Sequence, residues 1–347
     1  MKREIDEGRE HGAQAVHVRS AELAGAPTVS APRDCRSLTA KDPSPATIPV
    51  ALFGYGEWSR SRWFPVLSQL ARWGVIDLTV VERWARENSP AELLALEQEG
   101  VLRYLSWEGR LESTVSARWR AAYVVTNAAA HHSVIHTLLE ESPNLRVIVC
   151  EKPCGEDINQ ALDSFDACHN RGVSLLMADH YLLRPGIQFL LTRPELQSSI
   201  GELVQITAAI NESKDTGPGQ GVIADLVVHL LNLLLALFPG AHFTPSVAYT
   251  AQAVNRVAAG YETYTLAIGK LALQDGPAVD CEIEGGKQLA ADKKSLTLVG
   301  TKGRLHLDLM GNTLTLALNG EERKEERWTW RTQWSYARLI LKSLSLT

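Results

Sequence analysis

No Cys-x-x-Cys pair, no excess of basic residues and no uninterrupted apolar run of membrane-spanning length occurs in the 347 residues. The five cysteines, Cys35, Cys150, Cys154, Cys168 and Cys281, are an odd and scattered set. Neither a disulfide framework nor a zinc-ligand spacing can be read from them, and no metal is expected. Lys plus Arg number 35 against 40 Asp plus Glu, a net charge of −5. A mildly acidic chain has no electrostatic footprint for nucleic acid or an anionic membrane. The longest apolar stretch, Val222 to Phe238, is short for a span and contains Asp225, His229 and Asn232, each costly in a bilayer. Met1 to Lys41 mixes acids and bases around no apolar segment, so it does not read as a secretory signal. A soluble, cytoplasmic protein is expected.

What is present is ordinary globular composition, 45% hydrophobic and 22% charged, in a length that at roughly 150 residues per domain points to two domains. Residues 1–46, rich in Pro, Ser and Ala and without hydrophobic period, read as a disordered extension. From Ile48 short apolar runs alternate with helical patterns: strands at Ile48–Phe53, Leu78–Val81, Ala122–Thr126, Arg146–Cys150 and Val173–Met177, helices at Ser59–Trp73, Pro90–Gln98, His132–Leu139 and Asp157–Arg171. That alternation predicts a doubly wound parallel sheet over 47–178. Beyond it, over 179–347, come a helix at Pro185–Leu196, a strand at Leu203–Ile210 and the apolar helix Val222–Phe238. Closely spaced strand patterns follow: Ser246–Ala253, Tyr261–Ala272, Val279–Glu284, Ser295–Val299, Leu305–Leu307 and Leu314–Leu318. These predict an α+β domain with a large, mainly antiparallel sheet.

Four groups of residues carry chemistry. Gly54–Tyr55–Gly56–Glu57–Trp58–Ser59 lies between a strand and a helix, where a dinucleotide fingerprint places Gly for the turn, Gly for the pyrophosphate and a small residue for helix packing. Ser59 departs from the third glycine, and a plain strand-to-helix turn is the alternative. Glu82, 26 positions after Gly56, ends the second strand, where an acidic side chain receives the ribose hydroxyls. Its carboxylate would repel a 2′-phosphate and so favours NAD, whereas Arg83 beside it would receive that phosphate and favour NADP. Glu151–Lys152–Pro153 follows a strand, at the edge where open α/β sheets bind ligands; alone it reads as a surface loop. Asp179–His180–Tyr181–Leu182–Leu183–Arg184 follows the last parallel strand. There Asp179 can orient an imidazole, and His180, Tyr181 and Arg184 can hold an anionic group; a domain-linking loop is the bland reading.

The polar stripe of the apolar helix is physically the most informative. Asp225, His229 and Asn232, spaced by four and seven, share one helix face. Buried polar groups without partners cost about 1–3 kcal/mol each, so these three either hydrogen-bond inside the core or line a polar cleft.

In this order the pieces resemble the glucose–fructose oxidoreductase and inositol dehydrogenase family (Gfo/Idh/MocA), over residue 48 to about 320. The likeness rests on Gly54-x-Gly56, on Thr126–Asn127 with His131, and on Glu151–Lys152–Pro153. It extends to Ile200–Gly201–Glu202, Asp225-x-x-x-His229 and Val299–Gly300–Thr301–Lys302–Gly303. Asp179–His180–Tyr181–Leu182 is also similar to a segment of glucose-6-phosphate dehydrogenase, whose Gly-Lys ending is replaced here by Leu183–Arg184. The resemblance implies reversible hydride transfer between a bound nicotinamide, of NAD or NADP, and a hydroxyl-bearing carbon of a sugar, cyclitol or sugar phosphate. It implies that Lys152 stabilises charge on the reacting oxygen, that His229 takes the hydroxyl proton and that Asp225 positions substrate or imidazole. The cofactor would lie on Gly54, Gly56, Glu57, Trp58, Ser59, Glu82, Arg83, Thr126, Asn127, His131 and Glu151, and the substrate on Asp179, His180, Tyr181, Arg184 and Asn232. It also implies a homo-oligomer, dimer or tetramer, through the second sheet. A non-catalytic dinucleotide-binding regulator on the same fold is the alternative. Asn127 stands where the family has Pro, and the chain stops soon after Trp334–Ser335–Tyr336, where the family often adds another helix.

Overall fold

Ile48–Phe53 is apolar on both faces, and the strand it forms, β1, lies at the centre of a six-stranded sheet with its last four residues buried. This computed structural model describes residues 47–347 apart from 84–87, 108–110, 214–220, 252–261 and 275, and the side chains of 322–325 are also outside the description. The extension expected over residues 1–46 falls outside the described residues, as do the outer ends of the strands expected at 246–253 and 261–272.

The first sheet joins β1 to β2 (Ile76–Glu82), β3 (Leu102–Ser106), β4 (Ala121–Val124), β5 (Val147–Glu151) and β6 (Ser174–Ala178). Their order is β3-β2-β1-β4-β5-β6 and every pairing is parallel. Crossovers pass through α1 (Phe64–Arg72), α2 (Ala91–Gln98), α3 (Ser113–Ser116), α4 (Ala128–Glu141) and α5 (Ile158–Asn170). Strand order reverses between β1 and β4, so their carboxyl ends open the crevice where such sheets bind ligands.

After α6 (Pro185–Leu191) and α7 (Pro194–Ser199), β7 (Leu203–Glu212) enters the second sheet. A π-helical turn (Ile223–Val227) leads into α8 (Val228–Leu237), followed by β8 (His242–Ala251), β9 (Tyr264–Ala272), β10 (Val279–Lys287), β11 (Lys293–Gly300), β12 (Gly303–Asp308), β13 (Thr313–Leu318) and β14 (Glu321–Arg327). The order is β14-β13-β12-β11-β7-β10-β9-β8, antiparallel throughout except for β7 beside β10. The doubly wound sheet and the large antiparallel sheet expected from sequence are both there.

Differences in detail have local causes. The helix expected over 185–196 breaks before Pro194, whose ring cannot continue an α-helix, into α6 and α7. β3 and β14 carry no continuous apolar run, since each is an outer strand exposed along part of its length. The chain does end in another helix, α9 (Thr332–Leu344), and it returns to the parallel sheet: Tyr336, Leu339, Ile340 and Leu344 are buried with Val50, Leu52, Leu67 and Tyr123. Trp328 packs on Phe189 and Trp330 on Trp334, and both are half-buried.

Candidate active site

At the carboxyl end of β1, Gly54 has φ +97°, and a Cβ there would lie 2.6 Å from the Val125 carbonyl oxygen. Only glycine tolerates that turn against the neighbouring strand end. Gly56 is different: no protein atom lies within 4 Å of where its Cβ would be, so the chain's own packing does not call for glycine. A position where backbone meets a ligand's pyrophosphate does. Ser59, in the third glycine's place, is fully buried with an unpartnered hydroxyl where the helix begins. Glu57 and Trp58 are on the exposed side of the same turn.

Glu82, at the end of β2, folds back on this loop: its carboxylate accepts the Tyr55 amide hydrogen and that of Arg83. Burial pushes its carboxyl up, against the lowering effect of those two amides. Arg83 stacks its guanidinium over Trp107, 5.5 Å from the ring centroid. Beside them a cavity of about 290 Å³ is lined by Val81, Leu105, Ser106, Trp107, Leu111 and Glu112. The turn, the open approach at Gly56, the acidic side chain at the second strand end and an aromatic-walled cavity next to it fit a dinucleotide.

The loop after β4 supplies Thr126 and Asn127. Asn127 caps α4 by accepting the Ala130 amide hydrogen, 3.1 Å. His131 is buried, with Nδ1 2.6 Å from the Pro153 carbonyl and Nε2 3.0 Å from the Thr126 carbonyl. Its ring ties the two strand-end loops together. Glu151 is also buried: Oε1 accepts from the indoles of Trp58 and Trp63, both at 2.8 Å, and so fastens the end of β5 to the turn after Gly56.

Lys152 then projects into the space between the sheets. Its ammonium donates to the Asp225 carbonyl at 2.9 Å and also pairs with Asp225 Oδ1. Asp225 Oδ2 lies 2.8 Å from Lys287 Nζ, a buried ammonium at the end of β10. Burial raises the Asp225 carboxyl, but the Lys152 charge and the hydrogen bonds from both lysines outweigh it and hold the group below the usual aspartate range.

His229 faces a second carboxylate. Nδ1 lies 2.9 Å from Asp179 Oδ1, both side chains being 4% exposed, and Asp179 Oδ2 accepts from Asn232 at 3.0 Å. A carboxylate only accepts, so Nδ1 carries the hydrogen and Nε2 remains the basic nitrogen. The sequence stripe therefore divides: Asp225 serves the lysines, whereas His229 and Asn232 meet at Asp179. A π-helical turn over Ile223–Val227 carries Asp225, and α8 carries His229 and Asn232. Gly285 of β10 admits that turn, for a Cβ there would lie 2.6 Å from Val227 Cγ2.

His180 adjoins the His229 group. Its ring is 5.2 Å from His229 and stacks on Tyr336 at 5.6 Å. Burial foremost, with the nearby cations Arg184, Lys152 and Lys294 acting the same way, keeps its pKa well below the ordinary imidazole value, so it stays neutral. Tyr181 packs on His229 at 4.6 Å and lies under Arg184, 4.4 Å from its centroid. Arg184 also donates to the Leu309 carbonyl, which ties it to the second sheet.

Sequence reasoning missed Lys287, Lys294 and Tyr336. A lysine ending a strand at Gly285–Gly286, and the spacing of Tyr336, Leu339, Ile340 and Leu344, were the available signals. Lys294 pairs with Glu212 at 2.5 Å at the same end of the second sheet.

The two sheets thus meet over a glycine turn, a lysine and a histidine–aspartate pair. No protein-family model matches the sequence, and no curated protein sequence matches it. Solved structures do share the fold. Levoglucosan dehydrogenase, in complex with NADH and levoglucosan, superposes with a TM-score of 0.68 at 12% identity, covering 84% of this chain and 87% of that one. A 3-ketoreductase from Actinomadura kijaniata, in complex with NADP and TDP-benzene, gives 0.67 at 16%, covering 86% and 90%. A super-repressor mutant of Gal80p from Saccharomyces cerevisiae gives 0.69 at 17%, covering 86% and 84%. The fold implied by the family resemblance is thus the observed one.

Proposed function

We propose that the protein is an NAD(P)-dependent oxidoreductase acting on a hydroxyl-bearing or keto carbon of a sugar, cyclitol or sugar phosphate. The observation that carries this reading is that Lys152, after the end of β5, pairs with Asp225, only four positions before His229, which Asp179 holds in turn. Gly54, Gly56, Glu82 and Arg83 would hold the dinucleotide, with Trp58, Ser59, Thr126 and Asn127 beside them and His131 and Glu151 fixing the loops. When bound, the nicotinamide supplies or accepts the hydride. Lys152, anchored by Asp225, is placed to stabilise negative charge on the substrate oxygen. His229 holds Nε2 free to take or return the hydroxyl proton, with Asp179 fixing its tautomer. His180, Tyr181, Arg184 and Asn232 build the substrate side. Glu82, turned onto the glycine loop, favours NAD over NADP.

The solved structures support this reading by kind: a dehydrogenase with NADH and a ketoreductase with NADP share the fold. The Gal80p likeness supports the other reading, a dinucleotide-binding regulator. Lys152 and His229, both present and held by carboxylates, weigh against it. The four described cysteines are free thiols, which supports a cytoplasmic setting, and no helix among the described residues is long and apolar enough to cross a membrane.

The test is fluorescence titration with NADH and NADPH, followed by a screen of sugars and their phosphates with the tighter cofactor. Saturable binding and turnover that Lys152→Met lowers by about 10² or more, with cofactor affinity kept, is the expected outcome. Binding without any turnover would give the regulator reading the field, and binding of neither nucleotide would remove both.

A further inference from the structure

α4 and α5 lie side by side on the first sheet and bring together three side chains that the proposed hydride transfer does not use. His132 and His136, four apart, share a face of α4, and their rings lie 4.4 Å apart. Asp163 reaches them from α5. Its Oδ2 is 2.8 Å from His132 Nε2 and 2.9 Å from His136 Nε2, and the three ligand atoms all lie within 4.8 Å of one another.

A pair of ordinary hydrogen bonds does not account for the group. His132 makes one to the carboxylate. The nitrogen of His136 is buried and, although close, is out of line for a hydrogen bond. One carboxylate oxygen thus faces two imidazole nitrogens, one of which gains no directed bond. A tetrahedral cation with ligands at about 2.0–2.1 Å needs them about 3.3 Å apart, a few tenths beyond the separations seen. The Asp163 side chain is 59% exposed and α5 ends its constraint at the backbone, so it can open by that amount. Two imidazoles and a carboxylate suit a borderline divalent ion, and thiolate-seeking Cu(I) finds no sulfur among them.

We propose that His132, His136 and Asp163 bind a divalent cation of the zinc class, clamping α4 to α5 and leaving one coordination position for water. Neither the cysteine count nor the spacing of any familiar zinc motif announces such a site, because its third ligand lies in a different helix.

The full chain, stripped of metal with a chelator, is titrated with Zn²⁺ by calorimetry, and its thermal midpoint is followed with and without the ion. One site per chain is expected, with a midpoint raised by a few degrees at saturation. The double variant His132→Ala/His136→Ala and the single variant Asp163→Asn should each weaken binding more than tenfold and lose the midpoint shift. Co²⁺ substitution separates this site from the buried cysteines, since imidazole and carboxylate ligation lacks the intense near-ultraviolet charge-transfer band of thiolate. Undiminished Zn²⁺ affinity in the double variant, a thiolate band, or no binding by the intact chain would overturn the assignment. All three side chains are partly or largely exposed, so the variants retain the fold, which circular dichroism verifies.

Discussion

Two carboxylates on separate elements decide what the site's cations can do. Asp225 spans Lys152 and Lys287, one oxygen to each, and Asp179 spans His229 and Asn232 in the same way. Asp179→Asn keeps the shape but replaces an acceptor with an amide that can turn its donor toward the ring, and this favours the wrong imidazole tautomer. Turnover should fall by at least about 10² while cofactor Kd stays within a few-fold; steady-state kinetics beside fluorescence titration would read both. Asp225 makes a stability prediction instead. Its carboxyl titrates lower in the folded chain than in the unfolded one. The stabilisation from its two lysines is therefore complete above the ordinary aspartate pKa, about 3.9, and is lost as the pH falls through the lower folded value. Thermal midpoints measured below about pH 5 should fall less steeply in Asp225→Asn than in the parent chain. An identical slope would mean that the pairing is absent in solution.

Elements hold these groups in place through anchors far apart in the chain. Glu151 receives two indole hydrogens from the segment after the glycine turn, and Glu151→Ala leaves the buried Trp63 donor without a partner. The cost is about 1–3 kcal/mol, seen as a lower thermal midpoint, and Glu151→Gln should restore part of it by keeping an acceptor. Helix α9 closes the parallel sheet's core from the other end of the chain, and Ile340 within it is fully buried. Ile340→Ala should cost about 2–5 kcal/mol, measured by denaturant unfolding. A loss under half a kilocalorie would mean that α9 does not dock. The strands of the parallel sheet could be read because burial on both faces demands continuous apolar runs, as in Val50–Ala51–Leu52–Phe53 and Val147–Ile148–Val149–Cys150. β14, Glu-Glu-Arg-Lys-Glu-Glu-Arg, could not, since a charged outer strand looks like a solvated loop. The residue types of the site were legible too, but not their partners: Lys152 and Asp225 are 73 positions apart. Nor does any periodicity announce that Asp225 meets Lys152 and Lys287 whereas His229 and Asn232 meet Asp179.

At the scale of the whole molecule, the outer edge of the second sheet leaves apolar side chains in solvent. Val247 and Ile268 are cross-strand partners on β8 and β9, 58% and 43% exposed, and Tyr249 two residues along is 57% exposed. Exposed apolar surface of this kind supports the expected self-association. Light scattering should give a dimer or tetramer, and Val247→Glu with Ile268→Lys should shift it toward monomer without unfolding it; a monomeric parent chain would contradict that assembly. In the proposed function the two halves of the fold deliver one lysine and one imidazole to a single reaction. A double-mutant cycle on turnover tests this most directly. With Lys152→Met, His229→Gln and both together, groups acting as a unit give strongly non-additive losses, the double variant falling little below the worse single one. Losses that simply multiply, or single variants as active as the parent, would show that the two side chains do not serve one site.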